Sequence, residues 1–203
     1  MVIGPGYVYL ALPRTGSNAV SAWLCRYHQG IRPSGQEVHH HLMKIPPGNT
    51  DKHIWTIVRN PYDRMVSLYY LMTQTFWPSG WLDRDQHGRP WRDKGQRADM
   101  TMLQFLEWCL EFRDEILWGP QVSTLNRCNL PVAEFMRWEG LPYCLVPGFL
   151  ERQQPLGQLN CSEGRRQLID DLTPPIREVI NEHSRKDFQA FNYRSFASAW
   201  RTA

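Results

Sequence analysis

The chain has 203 residues, 42% of them hydrophobic and 21% charged, a balance ordinary for a globular protein of one domain spanning residues 1–203. A net charge of +3 is mild and suits a small anionic ligand better than a long nucleic acid, for which a clustered basic face is expected. Five cysteines, Cys25, Cys109, Cys128, Cys144 and Cys161, are odd in number and contain no C-x-x-C pair, which argues against a disulfide framework or zinc knuckle and for a reducing compartment.

In chain order, "YVYLAL" (7–12) is a short continuous apolar run, the mark of a buried strand in a parallel sheet. Pro13 to Ser17 is turn chemistry, and from Ala19 the apolar positions Ala19, Val20, Trp23, Leu24 and Tyr27 take helical spacing. No basic segment followed by an apolar one precedes the strand, and no apolar run is long enough to span a bilayer. The expectation is a cytoplasmic protein without signal peptide or membrane span.

Residues 30–53 are polar, rich in Gly and Pro, and carry "EVHHHLMKIPP" (37–47). "IWTIV" (54–58) is a second buried strand. It runs into Arg59, then Asn60 as a helix cap, Pro61 at the first helical position and Asp63 in the first turn. Tyr62, Met65, Val66, Tyr69 and Tyr70 line one side of that helix. Residues 76–99 lack periodicity and hold Trp77, Trp81 and Trp91, as an acceptor-side loop or lid would. Helical patterns follow at 101–113 and near 120–127, a strand at 132–138, and helices near 162–171 and 174–187. Strands alternating with helices predict an α/β fold with a central parallel sheet, in which ligands sit beyond the carboxyl ends of the strands.

Two loops carry the chemistry. The first, Pro13, Arg14, Thr15, Gly16, Ser17 and Asn18, joins a strand to a helix N-terminus. It offers backbone amides, hydroxyls and the permanent charge of Arg14 to an anion. It does not match G-x-x-x-x-G-K-[ST]: Gly16 is followed by Ser17 and Asn18 in place of the Lys and the Mg²⁺-binding Ser or Thr, and the second strand runs straight into Arg59 with no Asp at its end. That argues against a nucleotide hydrolase or an ATP-Mg²⁺ kinase. The second loop sets Arg59 after a strand and Ser67 two turns into the next helix, a pair suited to a phosphate monoester. The alternative is that Arg59 pairs with a local acid such as Asp63. Arg64 reads as a surface or structural ion-pair partner.

"PRTGS" followed by "VRNPYDRMVSLYY" resembles the PAPS-dependent sulfotransferases, closest to their bacterial and carbohydrate-type branch. "GPQVSTL" (119–125), "RWE" (137–139), "GQLN" (157–160) and "DFQAFNY" (187–193) resemble later landmarks of that branch in the same order. The resemblance implies a three-layer α/β sandwich, the P-loop NTPase-like sulfotransferase fold. It implies that 3′-phosphoadenosine 5′-phosphosulfate (PAPS) is the donor. The first loop would bind its 5′-phosphosulfate, Arg59 and Ser67 its 3′-phosphate, and adenosine 3′,5′-bisphosphate would leave as product. Arg14 stands where many members have Lys; it keeps the charge but is a poorer proton donor. The acceptor would be a hydroxyl or amine of a carbohydrate or small molecule, and no metal is required.

A hydroxyl acceptor calls for a base, and free imidazole titrates near pH 6.5. If residues 38–42 are extended, His39 and His41 share a face and His40 points away. The family spacing H-x-x-L favours His39 and the H-L pair favours His41; Glu37 stands third. Arg84, Arg89, Arg92 and Lys94 in the long loop would attract an anionic acceptor, and Arg165 and Arg166 would approach the 3′-phosphate. Two other readings are a catalytically inactive nucleotide-binding relative and, further off, a P-loop kinase.

Overall fold

The computed structural model describes residues 1–33, 44–74, 100–111, 118–140 and 172–196. The histidine cluster with Glu37, the loop 76–99 with its tryptophans and basic residues, the helix expected near 162–171, "GQLN", Arg165 and Arg166 lie outside them. The chain forms two compact units, Met1–Asn60 with Gln121–Arg166, and Pro61–Pro120 with Gln167–Ala203.

The first unit holds a four-stranded sheet of β1 (Val2–Ile3), β2 (Tyr7–Leu10), β3 (His53–Val58) and β4 (Glu134–Arg137), in that spatial order. β2, β3 and β4 are parallel. Every residue of β2 is buried, as are Ile54 to Val58 of β3, which is why these strands read as unbroken apolar runs. Helix α1 (Ser17–Tyr27) covers one face: Val20, Trp23 and Leu24 pack on Tyr7, Tyr9, Trp55 and Ile57, with Met136 and Trp138 at the margin. α1 begins at Ser17, two residues before its first apolar position, because the turn ends at Gly16 rather than at Ser17. The Thr56 hydroxyl donates to the Leu10 carbonyl at 2.8 Å, a side-chain bond between the two central strands.

The sheet departs from the wholly parallel expectation at β1, which pairs antiparallel with β2, Val2 opposite Tyr9. Gly4, Pro5 and Gly6 turn the chain back on itself, closed by the Gly4 amide donating to the Tyr7 carbonyl at 2.9 Å. A two-residue strand is too short to show a period. Ile31 then bridges Ile3 through paired backbone bonds of 2.8 and 2.9 Å. Within the polar stretch expected at 30–53, Ile45 is buried and its backbone is held from both sides by the Asn129 side chain.

The second unit contains α2 (Pro61–Gln74), α3 (Met102–Glu111), α5 (Pro174–His183) and α6 (Arg185–Ala190); the short α4 (Gln121–Leu125) belongs to the first. Tyr62, Met65, Val66 and Leu68 of α2 pack with Phe105, Leu106, Trp108 and Cys109 of α3, Trp118, Ile180 and Phe188. Arg64 is not a surface residue: it is 1% exposed and donates from Nη1 to the Gly119 carbonyl at 3.0 Å. The single helix expected over 174–187 is broken at Ser184, whose wholly buried residue closes α5 and opens α6. Its carbonyl accepts from the Asp187 and Phe188 amides. Pro174 opens α5 after an extended Thr173, as a proline at the first helical position requires. No helix among the described residues is long and apolar enough to cross a membrane.

Candidate functional site

β2, β3 and β4 run parallel, so the segments that leave their carboxyl ends emerge along one edge of the sheet. These are the turn 13–16, Arg59 with Asn60, and the 3₁₀ turn Trp138–Gly140. Three of the stretches singled out in the sequence therefore meet at one place.

The first turn is tightly wound. Arg14 has φ 64° and Gly16 φ 74°, both left-handed. For arginine this conformation is costly and persists only where neighbours hold it. Thr15 is wholly buried, and its hydroxyl donates to the Leu12 carbonyl at 3.0 Å, closing the turn from inside. Behind it, burial pushes the Tyr9 phenol well above its ordinary value, an effect the Thr15 hydroxyl opposes. Gly16 caps α1 without any side-chain capping bond, and its carbonyl accepts the first intrahelical bond, from the Val20 amide at 3.1 Å. The amides of Ser17, Asn18 and Ala19 lie ahead of that bond, in the turn where helices attract anions. Pro13 and Ser17 are buried, Arg14 is half-buried and Asn18 is exposed.

Arg59 lies one residue beyond the last register pair of β3 with β4, Val58 opposite Arg137. Its backbone is taken up by a side chain instead. The Arg59 amide donates to Gln121 Oε1 at 2.9 Å, and Gln121 Nε2 donates to the Arg59 carbonyl at 2.9 Å. Next along the chain, the Asn60 amide donates to Glu139 Oε1 at 2.5 Å. The Arg59 guanidinium donates from Nη1 to the Arg14 carbonyl at 3.1 Å and lies 5.7 Å from the centre of the Trp138 ring.

Trp138 also closes on Gly16. A Cβ at Gly16 would sit 1.8 Å from Trp138 Cζ3, so the indole rests against the bare backbone of the turn. Arg14, Gly16 and Arg59, singled out in the sequence, come together at this edge. Gln121 and Glu139 stood in the sequence only within "GPQVSTL" and "RWE", with no role attached, and Trp138, on an apolar face, read as a core residue. Ser67 is half-buried on α2, in the second unit.

The assembled edge holds two arginines, a left-handed turn and a helix N-terminus, a donor set for an anionic oxygen ligand. The base expected at His39 or His41 lies outside the described residues. No protein-family model, curated protein or solved structure matches this chain.

Proposed function

We propose that the chain is a PAPS-dependent sulfotransferase, moving a sulfuryl group to a hydroxyl or amine of a carbohydrate or small molecule, with the P-loop NTPase-like sulfotransferase fold. The observation that carries this reading is the bond from Arg59 Nη1 to the Arg14 carbonyl. It joins the two loops that the resemblance assigns to opposite phosphates of one doubly phosphorylated adenosine.

Bound PAPS would supply an activated sulfuryl group on a phosphate–sulfate anhydride. The residues present suit it: amides of the α1 first turn and the Arg14 cation for the phosphosulfate, Arg59 for the second phosphate. Arg14 would stabilise charge growing on the bridging oxygen as the S–O bond breaks and the electron pair leaves on the 5′-phosphate. His39 or His41 would take the acceptor's proton as its oxygen or nitrogen bonds to sulfur. Positioning and cationic stabilisation do the remaining work. The missing Lys-Ser/Thr pair in the first loop favours this reading over a kinase.

A thermal-shift comparison tests it. Adenosine 3′,5′-bisphosphate without Mg²⁺ should raise the melting temperature, and ATP-Mg²⁺ should not. A larger shift with ATP-Mg²⁺ would replace the sulfotransferase by a kinase. With labelled PAPS and a panel of sugars and phenols, Arg59→Ala should raise the KM for PAPS. His39→Ala or His41→Ala should lower kcat with nucleotide binding retained. Wild-type turnover in both histidine variants would remove histidine from the mechanism, and nucleotide binding without turnover on any acceptor would favour the inactive relative.

A further inference from the structure

We propose that Gln121 is a positioning residue for the anion site: it acts through Arg59, and through Arg59 on the Arg14 turn. This rests on the reading of Arg59 as a nucleotide-binding residue.

Gln121 is 0% exposed. A buried primary amide is costly unless its oxygen and nitrogen both find partners. Here they find the amide and the carbonyl of a single residue, both at 2.9 Å, across 62 positions of sequence. A pair of bonds to one residue's backbone fixes both position and orientation, as a neighbouring strand would. It does so where the ladder between β3 and β4 has just ended, at Val58. Losing it removes one bond at the Arg59 amide and one at the Arg59 carbonyl.

The consequence reaches the first loop. Arg59 Nη1 bonds the Arg14 carbonyl at 3.1 Å, and Arg14 is the non-glycine residue held at φ 64° in that turn. A left-handed arginine relaxes when its restraints are removed. The order of dependence is Gln121, the Arg59 backbone, the Arg59 guanidinium, then the Arg14 turn. Gln121 itself touches no ligand in this scheme.

The test uses full-length protein and adenosine 3′,5′-bisphosphate as probe. Gln121→Met keeps the volume and removes both bonds; Gln121→Glu keeps the acceptor for the Arg59 amide and removes the donor to its carbonyl. Calorimetric titration should show affinity falling about tenfold or more for Gln121→Met and less for Gln121→Glu. The double variant with Arg59→Ala should bind no more weakly than Arg59→Ala alone, because the glutamine acts through the arginine. Losses that add, or wild-type affinity in Gln121→Met, would overturn the proposal. If the Met variant does not fold, the Glu variant carries the same cycle.

A second readout needs no ligand. The Arg59 Nε–H resonance, assigned by its loss in Arg59→Lys, should move in a nitrogen-15 spectrum of either Gln121 variant while the dispersion of the remaining amides is kept. An unmoved resonance overturns the positioning role even if the wild type binds the nucleotide. A wild type that binds no nucleotide defeats the sulfotransferase reading, and the resonance then still decides the role of Gln121.

Discussion

Gly16 carries two constraints at once. Its φ of 74° is a conformation other residues adopt only with strain, and the Trp138 ring fills the space a side chain would need. Gly16→Ala should therefore destabilise the fold by about 2 kcal/mol or more, read as a lower denaturant midpoint. An unchanged midpoint would mean that neither the turn nor the indole is held as described. Tyr9 gives a pH dependence. Burial raises its phenol above the unfolded value of about 10, so the folded state keeps a proton that the unfolded state loses. Its contribution to stability is full below that pH and is lost as pH rises toward the folded value. The Tyr7 phenol is pushed in the same direction, again chiefly by burial. Urea midpoints measured at about pH 8 and about pH 11 should converge in Tyr9→Phe relative to wild type; an equal alkaline loss in both proteins would exclude the contribution of Tyr9.

Between elements of the second unit, one hydroxyl joins three segments. Tyr62 on α2 donates to the Asn181 side-chain oxygen on α5 and accepts from the Phe196 amide at 2.8 Å, while Asn181 Nδ2 donates to the Phe196 carbonyl at 2.9 Å. The Phe196 ring lies 5.1 Å from that of Tyr62 and 4.3 Å from the Arg177 guanidinium. Tyr62→Phe keeps the ring and leaves the Asn181 oxygen and the Phe196 amide without this partner, at a cost of about 1–3 kcal/mol. Hydrogen exchange should show faster exchange at the Phe196 amide than in the wild type. Exchange that is equally slow would mean that the aromatic and cation contacts hold the segment without the hydroxyl.

The whole chain is divided in a way that no single cut can respect. Each unit is assembled from two stretches of sequence, and the first needs residues after Gln121 to complete what Met1–Asn60 begins. β3 has β4 as its parallel neighbour, and Arg59 has Gln121. A fragment ending at Asn60 would carry β1, β2, β3 and α1 but leave one edge of β3 open and the Arg14 turn without Trp138. It should show no cooperative thermal transition by circular dichroism, whereas the full chain should show one. A sharp transition in the fragment would make the later segments dispensable for folding.

Local pattern alone marked most of the described strands and helices, and the two loops read as a candidate anion site. The apolar runs 7–12 and 54–58, the helical spacing after Ser17 and Pro61, and the arginines directly following turn or strand were legible because each depends on the period with which neighbouring side chains meet the core. The boundaries shifted by a residue or two, and the helix expected through 174–187 broke at buried Ser184. Tertiary structure alone decided that β1 runs antiparallel, that Thr15 turns its hydroxyl inward, that Trp138 lies on Gly16, and that Gln121 holds Arg59. Those contacts join positions far apart in sequence, or turn on one rotamer. The folded register brings them within bonding distance, and a local period carries no information about it.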